Sequence, residues 1–447
     1  MLRVLYTLLM HVAMPLILLR LWLRGRVESG YRMHIGERFG GMDDGGGAAA
    51  DALPSIWIHA VSVGEVRAAV PLVGALRAAY PQARVVLTCM TPTGRRTAHD
   101  LFNRGVSVCY LPYDLPWALA RFMRRWQPMM LVIMETELWP NLLAACASRR
   151  IPSFLANARL SEKSRRGYAK YSLIRALAGE AFARFTAVMA QSTTDAGRLA
   201  SLGATNVVVT GNVKFDLAID ADKLALGAAW RATLAPHARR VLLLASTREH
   251  EEMALVDAFR RAYPGRPDAG PPPLLVVVPR HPSRVDDVAV RLREAGLHVQ
   301  RRSTLNDPSR PNAGLSLPPE KLNVWLGDSM GEMQAYYAMC DVAVVCGSFQ
   351  PLGGQNLIEA AALGKPVIMG PSTFNFADAV RLALKADAML SAADEDAAMR
   401  AAAALLADPD RLQAMSDNAA AFATLHVGAT AKSLAVIRNC MPQTRAH

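Results

Sequence analysis

Short apolar, β-favouring runs alternate with helical text along most of this chain, and they do so in two separate series. The first series occupies 56–61, 84–88, 107–110, 129–134, 153–156, 187–190 and 206–209. The second occupies 241–245, 274–278, 299–301, 323–326, 342–345 and 366–369. Such alternation admits parallel strands joined by helical crossovers, with helices on both faces of each sheet. The chain is therefore read as two doubly wound α/β halves, the first ending near Gly211. In open α/β sheets ligands bind beyond the carboxyl ends of the strands. The residues directly after each strand are the ones that carry chemistry.

After the first strand come Ser62, Val63, Gly64 and Glu65, read as a short turn leading into a helix from Glu65. Glu65 either complements the helix dipole or serves as a general base in a cleft. The second strand ends in Thr91-Pro92-Thr93-Gly94-Arg95-Arg96, a turn suited to an anion or simply to solvent. The fourth ends in Glu135-Thr136-Glu137-Leu138-Trp139-Pro140-Asn141, whose paired carboxylates can orient hydroxyls or only start a helix. Arg159 opens a basic, hydroxyl-rich run to Lys170, suited to anionic lipid phosphates or to a solvated helix face. Lys214 lies in Gly211-Asn212-Val213-Lys214-Phe215-Asp216 at the junction of the halves, a partner for phosphate or carboxylate.

In the second half, Ser246-Thr247-Arg248 offers donors to a phosphate, while the acids 249, 251 and 252 read as helix caps. Prolines flank and fix Arg280 and His281. Gly327 to Met330 form another strand-end loop. The sharpest signal is the Gly-rich loop 347–359, which runs into a helix with Gly353, Gly354, Asn356 and Glu359. Its backbone N–H groups suit a phosphate and Glu359 suits ribose hydroxyls. Gly364 closes that helix.

The net charge of +12 points to nucleic acid, phosphorylated substrate or anionic membrane. No zinc-finger spacing or RNP1 motif is present, which sets nucleic acid aside. No G-x-G-x-x-G follows the first strand, so NAD and FAD are disfavoured. The six cysteines form no CxxC pair and read as reduced, buried thiols. No metal-ligand cluster or cofactor motif is evident.

Residues 4–23 are almost wholly apolar, long enough to cross a bilayer, with His11 and Arg20 as exceptions. Arg20, Arg24, Arg26 and Arg32 follow the segment and Arg3 precedes it, which orients the body to the cytoplasm. A spanning anchor, an interfacial helix and a buried soluble helix all fit the pattern. The stretches 40–54, 265–273 and 304–321 read as loops, and the chain from 394 onward as Ala-rich helix.

Taken together, these motifs closely resemble the 3-deoxy-D-manno-oct-2-ulosonic acid (Kdo) transferases of Gram-negative lipid A assembly. The resemblance is carried by 59–65, 135–141, 211–216, 279–282, 327–332 and the 353–359 loop, in that order. It departs at Arg248-Glu249-His250, where the family often carries His-Glu-Gly. The resemblance implies a GT-B fold of two Rossmann-like domains facing a cleft and anomeric inversion without metal or other cofactor. It also implies a CMP-Kdo donor and a lipid A precursor acceptor (lipid IVA) at the cell inner membrane. Glu65 would be the catalytic base. Lys214, Ser246, Arg248, Arg280, His281, Gly327, Met330, Gly353, Gly354, Asn356 and Glu359 would bind the donor. Arg95, Glu135, Glu137 and Arg159 would support acceptor and transition state. The expected divisions are an anchor at 1–26, an acceptor domain at 27–215, a donor domain at 216–425 and a C-terminal helix and tail at 426–447. A UDP-sugar lipid transferase and a non-catalytic, membrane-tethered nucleotide-sugar binder are the alternatives.

Overall fold

All seven strands of the first series join one parallel sheet in the computed structural model of the chain, which describes residues 1–41, 53–102, 105–234, 239–263, 272–306 and 323–441. The loops expected at 40–54, 265–273 and 304–321 lie largely outside the described residues. The chain divides into two compact units, Met1–Asp216 with Val427–His447, and Leu217–His426.

The first unit opens with α1 (Leu2–Val27). It continues with β1 (Ser55–His59), α2 (Val63–Ala79), β2 (Arg84–Cys89), α3 (Pro92–Phe102), β3 (Ser107–Tyr110) and α4 (Pro116–Trp126). Then come β4 (Pro128–Met134), α5 (Pro140–Ser148), β5 (Ser153–Ala158), α6 (Glu162–Ala169), α7 (Ser172–Phe182), β6 (Ala187–Ala190), α8 (Thr193–Ser201) and β7 (Val207–Val209). The strand order is β3-β2-β1-β4-β5-β6-β7. β1 therefore lies between β2 and β4, and Ile56, Trp57 and Ile58 are wholly buried. Trp57 keeps its indole satisfied by donating to Thr88 Oγ1 at 2.9 Å.

The second unit begins with α9 (Ala221–Leu234), β8 (Val241–Thr247), α10 (Glu251–Ala262), β9 (Leu274–Pro279), α11 (Val285–Glu294), β10 (His298–Arg301) and β11 (Asn323–Leu326). It continues with α12 (Met333–Met339), β12 (Val342–Val345), α13 (Ile358–Ala362), β13 (Val367–Met369), α14 (Ala377–Lys385), β14 (Met389–Ser391), α15 (Glu395–Ala407) and α16 (Pro409–Leu425). Its parallel order is β10-β11-β9-β8-β12-β13-β14. Strand β14 was not expected from the sequence; its three residues have no continuous buried apolar run, with Ser391 exposed at its end.

The last helix, α17 (Ala429–Cys440), returns to the first unit and packs on α2 and β6. Ala429 and Ile437 join that unit's core beside Val66 and Leu72. Asp216 accepts the backbone N–H of Gly428 at 2.6 Å, which fixes the return.

Each sheet has one switch point, where the strand order reverses: β1/β4 in the first unit and β8/β12 in the second. In open α/β sheets such points are where ligand crevices lie. The expected turn at 62–64 is shorter than anticipated, because α2 starts at Val63 with Ser62 as its capping residue. All six cysteines are free thiols and five are buried, as their apolar surroundings suggested.

Candidate active site

Glu65 follows β1, and Glu135 and Glu137 follow β4, so the three carboxylates flank the switch point of the first sheet. They line one cavity of about 530 Å³ with Thr136, Arg159, Ser161, Ser164 and Tyr168. Glu65 is the third residue of α2, in the spacing Ser62-x-x-Glu65 of a capping box. The bonding is rearranged from that motif. Glu65 Oε2 accepts from the Val61 N–H at 2.7 Å, and Ser62 Oγ donates to Oε1 at 3.2 Å. These bonds hold the carboxylate in one orientation at the cavity wall.

Burial lifts the Glu65 carboxyl to about 7, and the charges of Glu135 and Glu137 add to the lift. The Val61 and Ser62 bonds pull the other way and lose. Position in the first turn of α2 alone would favour the charged form, so burial is what sets the protonation of Glu65. Burial also raises Glu137 to about 7, reinforced by Glu135. Glu135 is ion-paired instead. Its Oε1 accepts from Lys214 Nζ at 2.9 Å, and Arg159 Nε lies 3.6 Å from Oε2.

Lys214, expected with the donor residues, thus lies in the first unit beside Glu135. Asn212 positions it by capping the short turn Val213–Phe215. Arg95 is not brought to this cavity. Its guanidinium donates to the buried Glu37 at 3.0 Å and lies over the Tyr110 ring. Part of the basic run 157–170 is neutralised locally, because Glu162 accepts from Arg165 and Arg166. His59 is fully buried and held neutral, its imidazole pushed down to about 4 by burial. It is a core residue of β1 with Nδ1 3.0 Å from the Thr88 carbonyl.

In the second unit, Ser246 and Arg248 follow β8 and the Gly-rich loop follows β12, again on the two sides of a switch point. Arg280 and His281 follow β9, where Arg248 Nη1 lies 3.0 Å from His281 Nε2. Gly327 and Met330 follow β11; Met330 is 66% exposed. The Gly-rich loop folds on itself through Gly354 N–H to the Gly347 carbonyl at 2.7 Å. Gly353 has φ +84, and a Cβ there would lie 2.6 Å from the Phe374 and Asn375 side chains. Asn356 accepts from the Ile358 N–H and donates to Glu359 at 3.4 Å. The helix that follows, α13, has only five residues, so its dipole is smaller than a long helix would supply. The loop's own N–H groups are mostly committed inside the protein: those of Gly347 and Phe349 to Glu251, that of Gly353 to Ser372 and that of Gly354 to the Gly347 carbonyl.

Two features here were not read from the sequence. The segment after β13 clasps the Gly-rich loop: Ser372 Oγ accepts from Gly353 N–H, and Asn375 donates its N–H to the Gly353 carbonyl and its amide to that of Leu352. It follows a strand end and was legible by the same rule as the others. The second feature is Glu251, read only as a helix-capping acid. Its wholly buried carboxylate accepts three backbone N–H groups, from Arg248 at 3.0 Å, Gly347 at 2.7 Å and Phe349 at 3.1 Å. It ties the β8 and β12 loops together beneath the crevice.

Four of the eight positive-φ residues with side chains found among the described residues lie at these edges. Glu135, Asn157, Ser246 and His250 all have positive φ, between +54° and +71°. A left-handed residue with a side chain costs roughly 1–2 kcal/mol, and such costs concentrate where geometry serves a site. His250, at φ +71, stands where the sequence resemblance places a glycine.

The family model described as "3-Deoxy-D-manno-octulosonic-acid transferase (kdotransferase)" matches residues 33–217, and "Glycosyl transferases group 1" matches 315–422. A 3-deoxy-D-manno-octulosonic acid transferase of Bordetella pertussis is 43% identical over 438 residues, covering 96% of this chain and 97% of the relative. One from Haemophilus influenzae is 37% identical, covering 90% of each chain. The crystal structure of Anabaena Alr3699/HepE in complex with UDP superposes with a TM-score of 0.55 at 13% identity, covering 86% of this chain and 99% of that one. That likeness concerns the fold, the pair of Rossmann-like units of GT-B enzymes.

Proposed function

Because the chain belongs to the 3-deoxy-D-manno-octulosonic acid (Kdo) transferase family, we propose that Glu65 is the base of a Kdo transfer from CMP-Kdo to a lipid A precursor at the inner membrane. The chain is a glycosyltransferase that transfers Kdo in lipopolysaccharide biosynthesis. The acceptor class, the base and the membrane setting are what the site is read to add. The observation that carries the reading is the cavity at the β1/β4 switch point, with a fixed carboxylate of raised pKa at its wall.

Glu65 takes the proton of the acceptor hydroxyl as that oxygen bonds to the anomeric carbon of Kdo. The bond from that carbon to the CMP phosphate oxygen breaks, and CMP leaves with the electron pair. Positive charge develops on the sugar, as in glycoside hydrolysis, and attack opposite the leaving group inverts the centre. A base titrating near the working pH combines the right protonation state with real driving force. Glu135, held by Lys214, and Glu137 position the hydroxyl and sharpen the basicity of Glu65. Arg248 and Arg280 receive the phosphate and the Kdo carboxylate, with Ser246, His281, Gly327, Met330, Gly353 and Gly354 around them. Asn356 and Glu359 hold the ribose side of CMP. The apolar α1 carries the chain to the membrane, with the body on the cytoplasmic side.

The pH dependence tests the base. Below about 7 the Glu65 carboxyl is protonated and accepts nothing; above it the carboxylate is available. Turnover therefore rises with pH through an apparent pKa near 7. In Glu137→Gln one neighbouring negative charge is gone, so the rising limb moves to lower pH. A limb that stays near 4.5, or is unmoved by that substitution, rules Glu65 out as the titrating base.

A further inference from the structure

α1 is apolar nearly all round, but its two faces do different things. One face, through Met10, Met14, Ile17 and Leu18, packs on Phe39, Tyr113, Leu115 and Ala118 of the first unit. The other presents Val4, Leu5, Leu8, Leu9, Val12, Leu16 and Leu19, each between 52% and 75% exposed. Their spacing of three and four residues makes one continuous stripe.

A buried polar latch fixes the N-terminal end of the helix to the body. Tyr6 hydrogen-bonds Asp114, which is 1% exposed. Thr7 Oγ1 donates to Asn141 Oδ1 at 3.0 Å. Asp114 in turn accepts the N–H groups of Asn141 and Leu142 at 3.0 and 2.8 Å, at the start of α5. The body is thus bound along the helix from Tyr6 to Leu18, about 18 Å at 1.5 Å per residue. A helix crossing a bilayer in this docked state would drag the 113–118 segment, with its irregular backbone and buried carboxyl, into hydrocarbon that cannot satisfy such groups.

α1 also touches α7, whose first turn exposes Tyr171, Leu173 and Ile174. The exposed cations Lys163, Lys170 and Arg175 flank that turn along the chain, and Arg20, Arg24 and Arg26 edge the α1 stripe. Apolar residues bordered by cations complement an anionic leaflet. Ile174 also lines the cavity that holds Glu65.

We propose that α1 is an in-plane anchor, lying in the headgroup–acyl boundary of one anionic leaflet, with the first turn of α7 as a second contact. Both ends of α1 then lie on the side of the body, and the cavity stands next to the lipid surface. This rests on the membrane association proposed above and replaces a spanning helix with a one-sided one.

The test uses the full chain with a protease-cleavable tag at its N-terminus, expressed in a Gram-negative host. In intact spheroplasts the tag stays protected from added protease, and it is cut once the inner membrane is opened. A tag cut in intact spheroplasts overturns the in-plane arrangement. Recovery of the protein in the soluble fraction overturns the membrane association itself, a separate failure. Leu173→Asp in the purified protein gives the second arm. Its binding to vesicles of phosphatidylethanolamine and phosphatidylglycerol falls about tenfold, in keeping with removing an apolar contact and adding a repelled charge. Unchanged vesicle binding overturns the second contact, because a spanning α1 alone is indifferent to that site.

Discussion

Replacing Glu65 by glutamine lowers Kdo transfer by about 10²–10⁴ while leaving donor affinity unchanged. Glutamine keeps the shape and can still accept from the Val61 N–H, so α2 starts as before. It cannot take a proton at neutral pH. The loss falls on kcat rather than on donor KM, since Glu65 lies in the first unit and the loops proposed to hold CMP in the second. Stability gives a separate sign. A carboxyl raised from 4.5 to about 7 stabilises the fold fully below 4.5 and loses that contribution as pH rises through 7. Glu65→Gln never pays this, so its Tm relative to the native chain improves between pH 5 and 8. Near-normal turnover in this variant removes Glu65 from the chemistry.

The second large effect is at Glu251. Glutamine there keeps one acceptor oxygen for the Arg248 and Gly347 N–H groups and turns an NH2 toward the Phe349 N–H. An unsatisfied buried donor costs about 1–3 kcal/mol, and the Gly-rich loop moves to relieve it. Shifts near 1 Å at a binding loop cost up to about 10²-fold, so donor KM rises by roughly 10–100-fold while acceptor KM stays put. Glu252→Gln is the control. Glu252 is also buried, one residue along, but it holds Thr247 Oγ1 and Arg284 rather than the Gly-rich loop. Its Tm falls comparably with a much smaller change in donor KM. Equal KM changes in both variants mean that Glu251 serves the fold alone.

The sequence carried the strand series well because parallel strands buried on both faces read as continuous apolar runs. Every candidate in the second unit lies after a strand, as the apolar runs indicated. Strand order was another matter. Nothing local in Glu135 or Glu65 says that β4 lies beside β1, yet that neighbour relation makes one cavity of them. Nor does anything local show that Lys214 pairs with Glu135, its partner being distant in sequence. Arg95 was read as an anion donor because its buried partner, Glu37, stands in a segment without strand or long helix. Glu251 looked like a capping acid because its three donors come from two loops that meet only in the folded sheet. The raised carboxyl of Glu65 was not legible either, because a helix start is visible in sequence and desolvation is not.

The central claim is a single transfer chemistry, Kdo from CMP-Kdo to a lipid A precursor with Glu65 as base. The most direct test incubates the purified full-length protein with CMP-Kdo and a tetra-acylated lipid A precursor and weighs the lipid. The expected result is a mass gain of one or more whole Kdo residues with release of CMP, no gain with UDP-sugars, and none above trace with Glu65→Gln. A lipid of unchanged mass, or one that grows with a UDP-sugar instead, contradicts it.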